Sequence, residues 1–333
     1  MGAANMQDWD NLNERIAEEM KALVRHRFQS NRLCGLALRF VEDKLGERMI
    51  FGALTFVHFH MCGGDSGHPY QAAAGMELII LASDILDDLE DQDAPSKPWM
   101  NVPLPEALHA ATSLLTLAQQ ALLECVTDMR QRGELATMMN NQLLMSADGQ
   151  MMDIAGEAKD EAAYLEMVSR KSASLFVLAC NAGVMAAGRE WREDVAAYAE
   201  ALGLASQMKN DIRDLVRWDD KSDFLQRKPS LALLYLLEGA AESDAWIVDF
   251  YEGRLGMEDV RERQALFREA LERTGALLYG TVMGRMHYNR FLDLLAAMPV
   301  EESWKDLLLR MLNGESPSDR ERERDATTQE LLR

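Results

Sequence analysis

Four aspartates, Asp84, Asp87, Asp88 and Asp91, recur at i, i+3, i+4 and i+7 in a single stretch of the chain. On a helix that spacing gathers the side chains on one face. Like charges so placed destabilise a helix by roughly 0.2–0.5 kcal/mol per pair even in water. Near a buried surface the repulsion grows as the effective dielectric falls, and aspartate is a poor helix former besides. Local stability does not select this arrangement; a bound cation does. Mg²⁺ takes oxygen ligands and commonly bridges one or two carboxylates to substrate phosphates. The plain alternative is a solvated acidic helix end. The cluster closes an apolar helix, which favours the metal.

A second set, Gln207, Asn210, Asp211 and Asp214, repeats the same spacing. Alone it reads equally well as an ordinary surface face. Two oxygen-rich faces opposed across a cavity would clamp a diphosphate through Mg²⁺ and stabilise its departure from an allylic carbon. Arg227 and Lys228 precede a proline-started apolar segment, a good position for contacting phosphate oxygens. Lys171 enters an apolar segment at Arg170-Lys-Ser-Ala-Ser-Leu-Phe176. Each of these basic residues by itself reads as a snorkelling side chain. His58 and His60 stand at i, i+2, on different faces of a helix, and do not read as a zinc pair. No Ser/His/Asp motif, P-loop or GxGxxG occurs.

The elements that must carry these residues are helices. The 333 residues are 48% hydrophobic but only 7% aromatic, with 8 prolines and 21 glycines, a balance that favours helix over sheet. Residues 71–92 are apolar nearly all round and predict a central buried helix, ended by Pro95 and Pro98. Further helices are expected over 104–128, 161–187, 192–218, 229–238, 242–251 and 258–280, with a loop at 63–69. No alternating strand pattern, short repeat or dividing linker is present. Residues 1–313 are expected to form one helical domain, and 314–333 a charged, disordered tail.

A net charge of −20 removes any bulk basic field for nucleic acid or anionic lipid. An anionic substrate would need a local cation. The four cysteines form no CxxC pair and are expected as buried free thiols of a reducing compartment. The acidic N-terminal stretch lacks the features of a signal peptide, and no run reaches the ~18–20 apolar residues of a membrane span. A cytoplasmic protein is expected.

Taken together, the motifs resemble those of the trans-isoprenyl diphosphate synthases. Asp87-Asp-Leu-Glu-Asp91 resembles the first aspartate-rich DDxxD motif, and Asn210-Asp-Ile-Arg-Asp214 the second. Gly149-Gln-Met-Met-Asp153 resembles the GQxxD segment, Tyr164 to Ser172 the YLxMxxxKT segment, and Lys228-Pro-Ser-Leu231 the KxTLP segment. Order and spacing agree over roughly residues 45–240. The resemblance implies an all-α, isoprenoid synthase-type helical bundle around a central active-site cavity. It implies Mg²⁺ held by Asp84, Asp87, Asp88, Asp91, Asn210, Asp211 and Asp214. It places Asp87, Asp88, Asp91 and Lys171 in catalysis, and Arg48, Lys171, Gln207 and Lys228 against substrate. Ala82 and Ser83 occupy the positions where bulky residues limit chain length in that family; both are small, so a C10 to C20 tail is expected to fit.

The departures carry information. The paired arginines that follow the first motif in chain-elongating synthases are replaced by Gln92-Asp-Ala-Pro-Ser-Lys97, and Glu47 stands where the isopentenyl diphosphate motif has lysine. The second motif opens with Asn210. The site for the second diphosphate therefore looks damaged. Residues 77–100, through Trp99-Met100, closely resemble one branch, the ComQ-type pheromone-modifying enzymes. That resemblance implies transfer of geranyl or farnesyl from its diphosphate to a tryptophan of a small quorum-sensing precursor peptide. Chain elongation with isopentenyl diphosphate, or terpene cyclisation, is the alternative, and a non-catalytic helical subunit is a third. A homodimer stays open.

Overall fold

The computed structural model describes residues 11–65, 67–92, 94–219 and 222–314. The expected charged tail lies, from residue 315, outside the described residues. Among the described residues there are fifteen α-helices and no strand. In order they are α1 (Leu12–Arg27), α2 (Asn31–Lys44), α3 (Ile50–Met61), α4 (Pro69–Asp91), α5 (Leu104–Glu124), α6 (Met129–Ile154), α7 (Glu161–Val168), α8 (Ser174–Ala186) and α9 (Glu193–Leu215). There follow α10 (Leu231–Glu238), α11 (Ala245–Tyr251), α12 (Met257–Val260), α13 (Gln264–Thr274), α14 (Ala276–Ala297) and α15 (Glu302–Asn313). The described residues form an all-helical bundle. No helix among the described residues is long and apolar enough to cross a membrane.

Helix α4 runs through the centre. Pro69 starts it, where a missing N–H costs nothing, and Gln92 ends it in the left-handed region at φ 56°. Residues Ala72 to Ala82 are all buried, which accounts for the apolar character of every face. Helices α3, α5 and α8 pack around it. Gly183 permits the crossing of α3 and α8: a Cβ there would lie 2.2 Å from the Thr55 carbonyl oxygen. Thr55 Oγ1 then donates to the Ala179 carbonyl at 2.9 Å and fixes the two helices in register. A smaller aromatic core, built on Phe224, Trp246, Phe250 and Phe267, sits beneath the segment carrying Lys228. Its centre is the Phe224–Phe267 stack at 4.1 Å.

Some elements differ from expectation. The segment 161–187 is helical but interrupted: Ser169–Ala173 form one π-helical turn between α7 and α8. The helix expected over 258–280 is broken at residues 261–263 and again at Gly275, whose φ of 74° ends α13. Helix α14 then continues to Ala297. Helices α1, α2, α3, α6 and α15 have no counterpart among the expected segments. Of the four free cysteines only Cys125 and Cys180 are buried; Cys34 and Cys62 are half-exposed.

The core holds one carboxylate of note. Glu77, fully buried in α4, accepts the Gly52 N–H at 2.6 Å near the start of α3, while its Oε2 has no hydrogen-bond partner. Burial pushes its pKa up to about 7, against the charge of Lys44 and the backbone N–H. The unfolded value is about 4.3. A folded-state pKa raised above the unfolded one adds stability that is complete below the unfolded pKa and is lost as pH rises through the folded one. Wild type is therefore expected to lose about 2 kcal/mol more than Glu77→Gln between pH 5 and 8, both without ligand. Parallel stability–pH curves from urea unfolding would refute this assignment.

Candidate active site

The C-terminal halves of α4 and α6, the π turn, α9, α14 and the segment 223–229 enclose a cavity of about 1390 Å³. Its upper part is oxygen-rich and its lower part apolar, lined by Ile80, Leu115, Leu143 and Leu175.

The aspartates of α4 divide among three directions. Asp87 lies on the cavity wall with Lys171 Nζ 3.1 Å away. Asp91 pairs with Lys228 Nζ at 2.5 Å. Asp84 also lines the cavity but accepts from the buried Lys44 at 2.8 Å. Asp88 does not line it; its carboxylate accepts the indole N–H of buried Trp99 at 2.7 Å. Helix geometry explains the division. At about 100° per residue, Asp87 and Asp91 differ by only ~40° in azimuth, whereas Asp88 stands ~100° from Asp87.

The second stripe opens on the same cavity through Gln207, Asn210, Asp211 and Asp214. Asp211 is buried and accepts from the Tyr164 hydroxyl and from Gln207 Nε2, the latter at 2.7 Å. Burial pushes its pKa up to about 6, and those two donors oppose the shift. Asp214 is held by Arg213 at 2.7 Å. Asn210 is exposed on the cavity wall. The two stripes thus face one another across one space.

Two lysines stand between carboxylates. Lys171, on the π turn, contacts Asp87 and, at 2.6 Å, Asp153. Burial opposes its charge, but the facing carboxylates outweigh burial and hold its pKa above the ordinary lysine value. The π turn reaches α6 because Gly149 has no side chain; a Cβ there would lie 2.2 Å from the Lys171 backbone nitrogen. Three carboxylates line the cavity that were not singled out as site residues from sequence: Glu90, Asp153 and Asp223. Asp153 is the last residue of the GQxxD-like segment. Asp223 lines the cavity beside Asp211 and Asp214, and burial plus those charges push its pKa up to about 8. The faint signal for it was its place five residues before Lys228.

Of the remaining expected contacts, Ser83 lines the cavity and donates to the Ile79 carbonyl at 3.0 Å. Ala82 is fully buried in the core and is not among the lining residues. Arg48 lines the opposite end, where its guanidinium donates to the Met311 carbonyl at 2.5 Å. Around it are Ile50, Phe51, Phe176, Tyr288 and Leu312. Phe51 and Phe176 pack at 4.7 Å.

Among the described residues no three His, Cys, Asp or Glu side chains close into a metal cage. Mg²⁺ seldom uses such a cage; it is held by one or two carboxylates with phosphate oxygens and water. Asp87 Oδ1 is buried without a hydrogen bond of acceptable geometry, despite its proximity to Lys171. Hard oxygen donors from Asp87, Asp91, Asp211 and Asp214 fit a divalent ion arriving with a diphosphate. Asp87→Ala and Asp91→Ala are each expected to lower kcat by about 10²-fold or more with an unchanged helical circular dichroism spectrum. Asp88→Asn keeps an acceptor for Trp99 and is expected to retain far more activity than Asp87→Asn. Equal losses in the two Asn variants would remove the distinction drawn here between these neighbours.

The polyprenyl synthetase family model matches residues 44–269, about two thirds of the chain. The tryptophan prenyltransferase ComQ of Bacillus subtilis subsp. natto (strain BEST195) is 29% identical over 306 residues, covering 90% of this chain and 92% of the relative. The (2E,6E)-farnesyl diphosphate synthase of Mycobacterium tuberculosis (strain ATCC 25618 / H37Rv) is 26% identical, covering 82% of this chain and 76% of the relative. Among solved structures, a polyprenyl synthetase from Streptomyces coelicolor A3(2) superposes with a TM-score of 0.80 at 20% identity, covering 92% of this chain and 97% of the other. Family match and helical cavity agree: the chain belongs to the polyprenyl synthetase family and is a prenyltransferase.

Proposed function

We propose that the enzyme transfers a geranyl or farnesyl group from its diphosphate to the indole of a tryptophan in a small precursor peptide, with Mg²⁺. The observation that carries this reading is the end of the cavity around Arg48. A second diphosphate would need cations free to bind it there, and the two arginines present, Arg48 and Arg285, are both engaged. Arg48 is engaged by the Met311 carbonyl, and its neighbours Ile50, Phe51, Tyr288 and Leu312 are apolar or aromatic. Arg285 lies over the Tyr288 ring at 5.4 Å. Such a surface suits a flat, electron-rich aromatic acceptor better than an anion. The fuller match to ComQ than to the farnesyl diphosphate synthase points the same way.

In this reading the prenyl tail lies among Ile80, Leu115, Leu143 and Leu175, and its diphosphate between the acidic stripes. Bound Mg²⁺ would neutralise the charge on the leaving diphosphate. Lys171 and Lys228 exchange carboxylate partners for diphosphate oxygens, and the apolar walls keep water from the allylic cation. The bond from prenyl C1 to the diphosphate oxygen breaks as indole C3 bonds to C1. The indole nitrogen then releases its proton to the departing diphosphate. Asp84, engaged by Lys44, is poorly placed to take it.

The test supplies purified enzyme with Mg²⁺ and geranyl or farnesyl diphosphate. One reaction contains isopentenyl diphosphate, the other a tryptophan peptide. The expected product is the peptide heavier by one prenyl unit, lost with Trp→Ala in that peptide and in excess EDTA. Lys171→Ala and Lys228→Ala are expected to weaken prenyl diphosphate binding, and Ser83→Phe to shift preference towards the shorter donor. Efficient elongation without peptide modification would establish the alternative, a chain-elongating isoprenyl diphosphate synthase using isopentenyl diphosphate.

A further inference from the structure

Four carboxylates and two lysines form a chain of ion pairs behind one wall of the cavity. Lys44, the last residue of α2, has a side chain only 7% exposed. Its ammonium lies 2.8 Å from Asp84 Oδ2 and 2.9 Å from Glu47 Oε2. The fully buried Glu77 adds its charge. Glu47 is shared: its other oxygen, Oε1, accepts from Lys97 at 2.7 Å, and Lys97 also reaches Asp43 at 2.8 Å. Burial opposes the charge on Lys44, but the facing carboxylates outweigh burial and hold its pKa above the ordinary lysine value. Lys44 is therefore a cation at neutral pH.

Asp84 joins this chain to the cavity. It lines the cavity beside Ile80, Ser83 and Asp87, whereas Lys44, Glu47 and Lys97 are not among the lining residues. The ammonium of Lys44 thus stands one hydrogen bond behind the wall, four residues before Arg48 in the chain. A partly buried cation is weakly screened, and unpaired it would attract an anion into the cavity. Here its donors are taken by Asp84 and Glu47. Asp43, Glu47, Glu77 and Asp84 stand against Lys44 and Lys97, so the cluster presents no surplus positive charge to the cavity.

We propose that Glu47 and Asp84 are specificity-determining residues: they hold Lys44 as an internal counter-ion and so deny its charge to a second diphosphate. The acceptor end then admits a neutral aromatic group and refuses isopentenyl diphosphate. Glu47 acts through Lys44 without touching substrate, and Lys97 fixes Glu47 in turn. The inference rests on tryptophan being the acceptor.

Glu47→Gln and Asp84→Asn keep an oxygen acceptor for Lys44 and remove the charge. Calorimetry measures isopentenyl diphosphate binding to the full chain saturated with Mg²⁺ and a non-ionising farnesyl diphosphate analogue. The Glu47→Gln/Asp84→Asn double variant is expected to bind isopentenyl diphosphate about tenfold more tightly than wild type, with a gain that shrinks as salt is added. Adding Lys44→Met abolishes the gain. Glu90→Gln removes a charge from the same cavity, where Glu90 meets Gln150 rather than a lysine, and leaves the affinity at the wild-type level. Should the double variant not fold, Glu47→Gln alone, at an exposed position, carries the same test with a smaller gain. Affinity no tighter than wild type in these variants, a gain that survives Lys44→Met, or an equal gain in Glu90→Gln overturns the role of Glu47 and Asp84 alone. Efficient elongation by wild type with isopentenyl diphosphate, without modification of a tryptophan peptide, overturns the acceptor reading and this inference with it.

Discussion

Crowding of like charges in a half-buried space governs this molecule. Asp87, Asp153, Asp211, Asp214 and Asp223 line a single volume, Asp91 stands beside it on Lys228, and Lys171, Lys228 and Arg213 are wedged among them. Burial first, and the neighbouring carboxylates with it, push the pKa values of Asp211 and Asp223 up. Isolated, such a cluster works against folding. It persists because the helices carrying it are anchored elsewhere, in the apolar core around α4 and in the aromatic core beneath the segment 223–229. The same repulsion makes the site receptive to a divalent ion and diphosphate, which replace carboxylate–carboxylate contacts with bridged ones.

Much of this was legible in the amino-acid sequence because it is local. Spacing alone places each acidic stripe on a helix, and the uniform apolarity of residues 71–92 marks α4 as central. Partners distant in sequence were not legible. Lys44 takes Asp84 across 40 positions, Trp99 holds Asp88, and Tyr164 holds Asp211 across 47. No periodicity announces such pairs. Helix α3 escaped for a different reason: residues Gly52 to Phe59 are all buried, so it lacks an amphipathic signature. Helix α6 escaped for the opposite one, burying only Leu135, Met139 and Gly149 within its 26 residues.

The two ends of the cavity present opposite chemistry. One is charged, and its geometry follows from paired stripes that resemble those of chain-elongating enzymes. The other sets Arg48 and Arg285 among apolar and aromatic side chains. Under the proposed function, a change of acceptor within one fold would need little more than this difference between the two ends.

The π turn at Ser169–Ala173 has a consequence for how this site can vary. It inserts one extra residue into what would otherwise be a continuous helix from Glu161 to Ala186. Deleting a residue there would restore regular backbone bonding, yet it would turn everything beyond it by about 100° relative to what precedes it. Lys171 would swing off the cavity wall, and α8, buried at every position but Leu175, would present the wrong residues to α3 and α4. Local regularity and global packing are set against each other at this point, so the irregular turn is locked in: no single deletion can remove it and leave both halves of the molecule in place.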